Sequence, residues 1–215
     1  ADLLGEGLDG VMDAAGGGGV AALDGEKRLG HRDLDLVRVE VARGKQLYAQ
    51  EFSRGLPQGG LQKLGPTQNR RGTTVTFHPD AEIFGTRAAL KPARLHKMAR
   101  SKAYLFRGVE IRWKCAPELL GEKDETPAQD TFRFPGGLAD YLTHTLEGTE
   151  FYGDAPFSGK VDFKERFGGD TVGSVEWALA WTPARDGATS SYCNTIPTPE
   201  GGTHEAGYRP HFVKN

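Results

Sequence analysis

The chain has 215 residues, with 27 Lys and Arg set against 29 Asp and Glu for a formal net charge of −2. That balance excludes a global field able to draw in nucleic acid or an anionic membrane, although local patches survive it. Hydrophobic residues make up 37% and glycines number 30, a lean globular composition in which no run approaches the roughly 18 apolar residues of a membrane span.

Residues 1–35 include "AAGGGGVAALDGEKRLGHRDLD", which lacks periodicity and holds a four-glycine run. Glycine raises the entropic cost of ordering, so a flexible or poorly packed head is expected there. The N-terminus has no basic flank of a signal peptide, which makes the cytoplasm the expected compartment. From residue 36 the pattern sharpens. In "LVRVEVAR" Val37, Val39 and Val41 alternate with charged residues, the period of a half-buried strand. Gly44-Lys45 reads as a tight turn into a return strand with Tyr48 and Phe52 on one face. "GLPQGGLQKLGPTQNRRG" is punctuated by Gly and Pro and predicts loop with one short extended piece. "GTTVTFHPD" predicts a strand with Val75 and Phe77 inward.

"KPARLHKMARSKAYLFRG" predicts the best helix of the chain. Pro92 suits its first turn, Leu95, Met98, Ala99, Leu105 and Phe106 form an apolar stripe, and Gly108 follows its end. "GVEIRWK" alternates as a strand. The polar stretch 116–130, "APELLGEKDETPAQD", is a hairpin loop or a linker, and a domain boundary is placed beside it. "TFRF" then predicts a strand, "GGLADYLTHTLEG" a helix, and "GKVDFKE" and "TVGSVEWALAWTP" two further strands. The expected class is α+β, two units whose sheets are covered on one face by helices.

Chemistry is sparse. There is no phosphate-loop motif, no nucleophile elbow and no His-Glu-x-x-His pair. None of the six histidines lies at metal-ligand spacing from another. His78 and His204 read as turn or cap residues. Cys115 and Cys193 form no metal-spaced pair and are expected to be free thiols, with a disulfide as the alternative. Arg94, Lys97 and Arg100 give one helix a basic face, able to meet DNA phosphates or simply solvated. Neither catalytic nor metal-binding residues are assigned.

Three stretches read together add more: "RRGTTVTFHPDAEIF", "RLHKMARSKAYLFRGVEIRW", and "GDTVGSVEWALAWTP" with "SYCNTIPTPEGGTHEAGYR". Over residues 36–209 the chain resembles the ATPase subunit of bacterial type IIA topoisomerases, and the topoisomerase IV B subunit more than gyrase B. The resemblance implies part of a GHKL-type α/β sandwich over 36–125 and the start of an S5-like transducer domain over 126–215, behind a divergent head at 1–35. It implies ATP with Mg2+ as cofactors. The implied partners are duplex DNA, a second copy of the B subunit and the A-type subunit, with no membrane. The family's adenine-pocket threonine matches Thr73, preceded by Gly72, and its rim arginine, where aminocoumarins lie, matches Arg43. In "GGTHEAGYR" Thr203 or a neighbour caps a helix that has Glu205 in its first turn.

The two ends depart from the family pattern. No stretch before residue 36 matches the helix with its catalytic glutamate and magnesium-holding asparagine, the Asp-x-Gly adenine turn, or the glycine-rich lid. The transducer lysine of the family would come well after residue 209, and Pro210 is expected to stop the helix begun at Thr203. The expectation is a fragment of the B chain, with an altered head and a shortened tail, that does not turn over ATP by itself. A non-catalytic dimerisation module and a DNA-contacting module are the alternatives.

Overall fold

A computed structural model describes residues 10–13, 31–85, 89–164, 172–183 and 187–212. The chain divides into two compact units, Ala1–Leu95 and His96–Asn215.

The first unit is built on an antiparallel sheet. The valine alternation produces β2 (Leu34–Arg43), which returns as β3 (Gln46–Ser53). Gly44 and Lys45 between them both have positive φ, 60° and 59°, the two-residue turn whose twist matches that of paired strands. β6 (Gly72–Pro79) pairs with the other edge of β2. At the bulge between Leu34 and Leu36 in β2, Asp35 meets His78 Nδ1 at 2.8 Å. Two short strands, β4 (Leu56–Pro57) and β5 (Gln62–Pro66), share the outer edge of β3 where the sequence predicts one. β1 (Gly10–Asp13) pairs with the free edge of β6. The head is expected to be flexible or poorly packed, and its described residues lie along an open strand edge that offers unmet amides and carbonyls to an extended segment. Residues 1–9 and 14–30 lie outside the described residues.

Asp80 ends β6 and starts the short helix α1 (Ala81–Phe84), its carboxylate accepting the Glu82 amide at 2.9 Å. Arg54 reaches the same carboxylate at 2.6 Å. Leu34, Phe77 and Leu90 form the buried core, with Val37, Phe84 and Leu95 against it. Each such side chain stabilises the unit by about 1.5–3 kcal/mol.

Helix α2 (Pro92–Leu105) begins at its proline as expected and crosses from the first unit into the second. Its buried residues are Ser101, Ala103 and Tyr104, whereas Phe106, counted in the expected stripe, is 50% exposed beyond the helix end. Polar groups are buried here because they are satisfied. The Ser101 hydroxyl donates to the Met98 carbonyl at 2.7 Å, and Tyr104 bonds Tyr192 through its hydroxyl.

β7 (Glu110–Lys114) pairs in full with β8 (Gln129–Arg133). The stretch between them is therefore a hairpin loop containing a 3-10 turn at Pro117–Leu119, and the boundary expected at 125–126 falls inside it. The second core gathers Ala103, Tyr104, Phe132 and Phe134, with Leu138 and Tyr141 of α3 (Leu138–Thr145) and Tyr192 packed against it. Tyr104 stacks on Tyr141 with ring centroids 3.9 Å apart. β9 (Phe157–Lys164) and β10 (Val172–Leu179) form a separate hairpin. β11 (Tyr192–Cys193) and β12 (Ile196–Pro197) form another. Glu205 lies in the first turn of α4 (Thr203–Phe212), as expected. α4 runs through Pro210 instead of stopping there, since a proline near a helix end forfeits only one backbone bond. Both cysteines are free, and no described helix is long and apolar enough to cross a membrane.

Candidate functional site

The register of the first sheet places the sequence-predicted residues. Thr73 stands opposite Val41, and Gly72 opposite Ala42. Side chains alternate across a strand, so Thr73, Val75 and Phe77 share one face with Val37, Val39, Val41 and Arg43. Arg43 and Thr73 are then diagonal neighbours on that face, about 7–8 Å apart by strand geometry. Gly72 contributes backbone only, at a φ of 103° that side-chain-bearing residues avoid. Thr73 is half-buried, whereas Gly72 and Arg43 are exposed.

One residue of this face escaped the sequence reading. Gln46 pairs with Arg43 at the hairpin turn, and its side-chain Oε1 is buried with no hydrogen-bond partner. A buried acceptor without a donor costs about 1–3 kcal/mol. The only signal available in sequence is its parity: Gln46 lies two residues before Tyr48, on the same side of β3. Apolar Val41 and Val75, the Thr73 hydroxyl and the Arg43 guanidinium together suit a flat heterocycle with hydrogen-bonding edges.

The opposite face is different in kind. Arg38 bonds Glu40 and Glu51, and Arg70 bonds both Glu40 and the Thr74 hydroxyl, at 2.8 and 2.7 Å. The bond to Glu51, then that to Glu40, holds the Arg38 guanidinium above its ordinary range. Burial pushes the Glu40 carboxyl up, but Arg70 and Arg38 outweigh it and bring it below the ordinary range. This ladder locks β2, β3 and β6 together on the face away from Thr73.

Two open cavities of about 360 and 390 Å3 lie elsewhere, in the second unit. The first is lined by Pro199–Gly202 with Glu205 and Ala206, the second by Arg112–Lys114 and Gln129–Thr131. Neither includes Arg43, Gly72 or Thr73. His96 Nε2 meets Asp130, which lines the second cavity, at 2.9 Å while its ring abuts Trp113 and Phe132 edge-on. At the end of α2, Lys102 Nζ donates to the Thr195 carbonyl and hydroxyl at 2.8 and 2.9 Å, and burial lowers the pKa of that amine.

A family model described as DNA gyrase B matches residues 137–215. The B subunit of DNA topoisomerase 4 from Bartonella bacilliformis is 53% identical over 180 residues, covering 84% of this chain and 25% of its own length. The chain belongs to the B-subunit family of bacterial type IIA DNA topoisomerases. Its counterpart in Caulobacter vibrioides, also the B subunit of topoisomerase 4, is 50% identical over 182 residues, covering 83% of this chain and 25% of its own length. Among solved structures, the 43K ATPase domain of Thermus thermophilus gyrase B, determined with an aminocoumarin, superposes with a TM-score of 0.63 at 26% identity. That match covers 85% of this chain and 46% of the neighbour. The α+β class with a GHKL-type sheet, expected from sequence, is therefore the fold that this B-subunit segment has, and the chain spans about a quarter of the curated relatives it matches.

Proposed function

We propose that the chain supplies one wall of the nucleotide site, and the start of the transducer, in an ATP-operated type IIA topoisomerase that passes one duplex through another. The observation behind this reading is the sheet register that sets Thr73 and Arg43 as diagonal neighbours on an apolar face. A hydroxyl both donates and accepts, so Thr73 can hold a water against a base edge. Gly72 lets the backbone come close, and Arg43 closes the rim. The residues present thus fit the base end of ATP. The nucleotide supplies a γ-phosphoryl group for in-line attack by water. Among the described residues no group of three His, Cys, Asp or Glu could hold a metal ion.

The nucleotide-domain part is read as residues 36–125 and the transducer part as residues 126–215, the latter containing the stretch 137–215 that is similar to gyrase B. Duplex DNA, a second copy of the B chain and an A-type subunit are the proposed partners, in the cytoplasm. By itself this chain is expected to bind nucleotide without turning it over, and steady phosphate release above a buffer blank would contradict that.

Nucleotide titration followed by thermal melting tests the reading. At free ligand five times Kd, stabilisation is about 1 kcal/mol, a shift of roughly 2–4 °C for a chain of this length. Thr73→Val, nearly isosteric, should reduce the shift while keeping the fold. An absent shift, or one that Thr73→Val leaves intact, overturns the assignment.

A further inference from the structure

The β11–β12 hairpin turns on a residue that does not suit its place. Asn194 and Thr195 connect the paired Cys193 and Ile196 with φ of 47° and 69°, a two-residue turn whose second position usually holds glycine. Thr195 is β-branched, and a branched side chain at positive φ is a genuine outlier. Such a conformation lowers its own population by about 5- to 150-fold and persists only where the surroundings impose it. Lys102 of α2 imposes it. Its half-buried Nζ donates to both acceptors of Thr195, the carbonyl at 2.8 Å and the hydroxyl at 2.9 Å. The base of the hairpin is tied to a different helix. The Thr198 amide donates to the Ser191 carbonyl at 2.9 Å, and the two hydroxyls bond at 2.6 Å. Ser191 Oγ donates in turn to Glu205 Oε2, in the first turn of α4, at 2.9 Å. All these residues belong to the second unit.

We infer that the β11–β12 hairpin is a strained latch that couples the end of α2 to the start of α4. With Lys102 in place the turn stays at positive φ, the short strands stay paired, and Ser191 is presented to Glu205. Withdrawal of the amine removes both bonds to Thr195 at once. Thr195 then relaxes toward negative φ, the pairing of Cys193 with Ile196 opens, and the tie from Ser191 to α4 slackens. Two features separate this from a passive contact. The strain supplies a second, relaxed arrangement of the turn, which is what a switching element requires. The cationic donor is partly withdrawn from water, so its bonds are stronger than those between neutral groups. A glycine in place of Thr195 would need no such hold. The latch acts within the second unit and does not depend on nucleotide binding.

The test is amide hydrogen exchange of the full chain, read at the hairpin and at Ala206, whose amide donates to the Gly202 carbonyl at 2.9 Å at the start of α4. Lys102→Met keeps the apolar stem and removes the donors, so exchange should rise about 10-fold or more at both places. Adding Thr195→Gly to that variant removes the strain, and should return both places to within about 3-fold of the parent. Were lost bonds the whole effect, the glycine would open the turn further. Lys97→Met, at an exposed position of the same helix, should leave both places unchanged. A Lys102→Met variant that does not fold, but folds once Thr195→Gly is added, carries the same conclusion. Overturning results are unchanged exchange in Lys102→Met, a rise confined to the hairpin with Ala206 unaffected, or a double variant that stays open or unfolded. None of these readings uses nucleotide, so failure here and failure of the nucleotide assignment are distinguishable.

Discussion

The hydroxyls of Tyr104 and Tyr192 lie 2.5 Å apart, in surroundings unequal enough to give a directional prediction. Tyr104 is 4% exposed and stacked on Tyr141, whereas Tyr192 is half-buried. Burial, then the bond to Tyr192, pushes the Tyr104 hydroxyl well above the ordinary tyrosine range, so it stays protonated and must be satisfied as a neutral group. Tyr192→Phe strands that buried hydroxyl and should cost about 1–3 kcal/mol. Tyr104→Phe leaves the Tyr192 hydroxyl, which water reaches, and should cost only about 0.5–1.5 kcal/mol. Removing both keeps the two rings and leaves nothing stranded, so the double variant should lose less than the sum, with a coupling of about 1 kcal/mol. Thermal melting of the four proteins reads this directly, each kcal/mol moving the midpoint about 2–4 °C. Equal costs for the two single variants, or strict additivity, would refute the claim that the bond matters because one end of it is dry.

Three further outcomes are expected. The Glu82 amide, and then Arg54, holds the Asp80 carboxyl below the ordinary aspartate range against its desolvation. Its stabilising contribution is therefore present above about pH 4 and lost as pH falls through the lower folded value; Asp80→Asn should flatten that acid limb in melting curves taken from pH 6 to 2. A Cβ added at Gly159 would lie 2.4 Å from the Trp177 ring, so Gly159→Ala should destabilise by about 1–3 kcal/mol through overpacking, visible as a change in tryptophan fluorescence and a lower urea midpoint. Gln46→Leu removes an unmet buried acceptor, so it should raise stability of the free protein by up to about 1 kcal/mol in thermal melting. A lower midpoint in the free protein would mean that Gln46 is satisfied in solution.

The strands were legible because their signal is local. Valines alternating at 37, 39 and 41 and the Gly44-Lys45 turn fix β2 and β3, and parity alone then puts Arg43 on the face of its valines. That Thr73 shares this face needed the register between β2 and β6, which no local pattern encodes. Tyr104 and Ser101 were missed as buried residues for a related reason. Their hydroxyls are tolerated only because Tyr192, 88 residues away, and the Met98 carbonyl receive them, whereas periodicity counts apolar positions alone. Gln46 is illegible in sequence because an unmet oxygen is a property of its surroundings. The 116–130 stretch has linker composition, yet pairing of Ile111 with Phe132 and Trp113 with Asp130 across it makes it a loop.

The outer edge of the first sheet has a bearing on how this chain behaves in concentrated solution. Leu56, Leu61 and Leu64 are 67%, 66% and 45% exposed along β4 and β5, where an adhesive flank would invite strands from other molecules to add on. Pro57 and Pro66 interrupt the row of donors there, the bulge at Leu64 skews it, and Lys63 adds a charge. Pro57, Pro66 and Lys63 act as gatekeepers against fibril-like stacking, so replacing Lys63 with an apolar residue should shorten the time before turbidity develops, even where the folded state is no less stable.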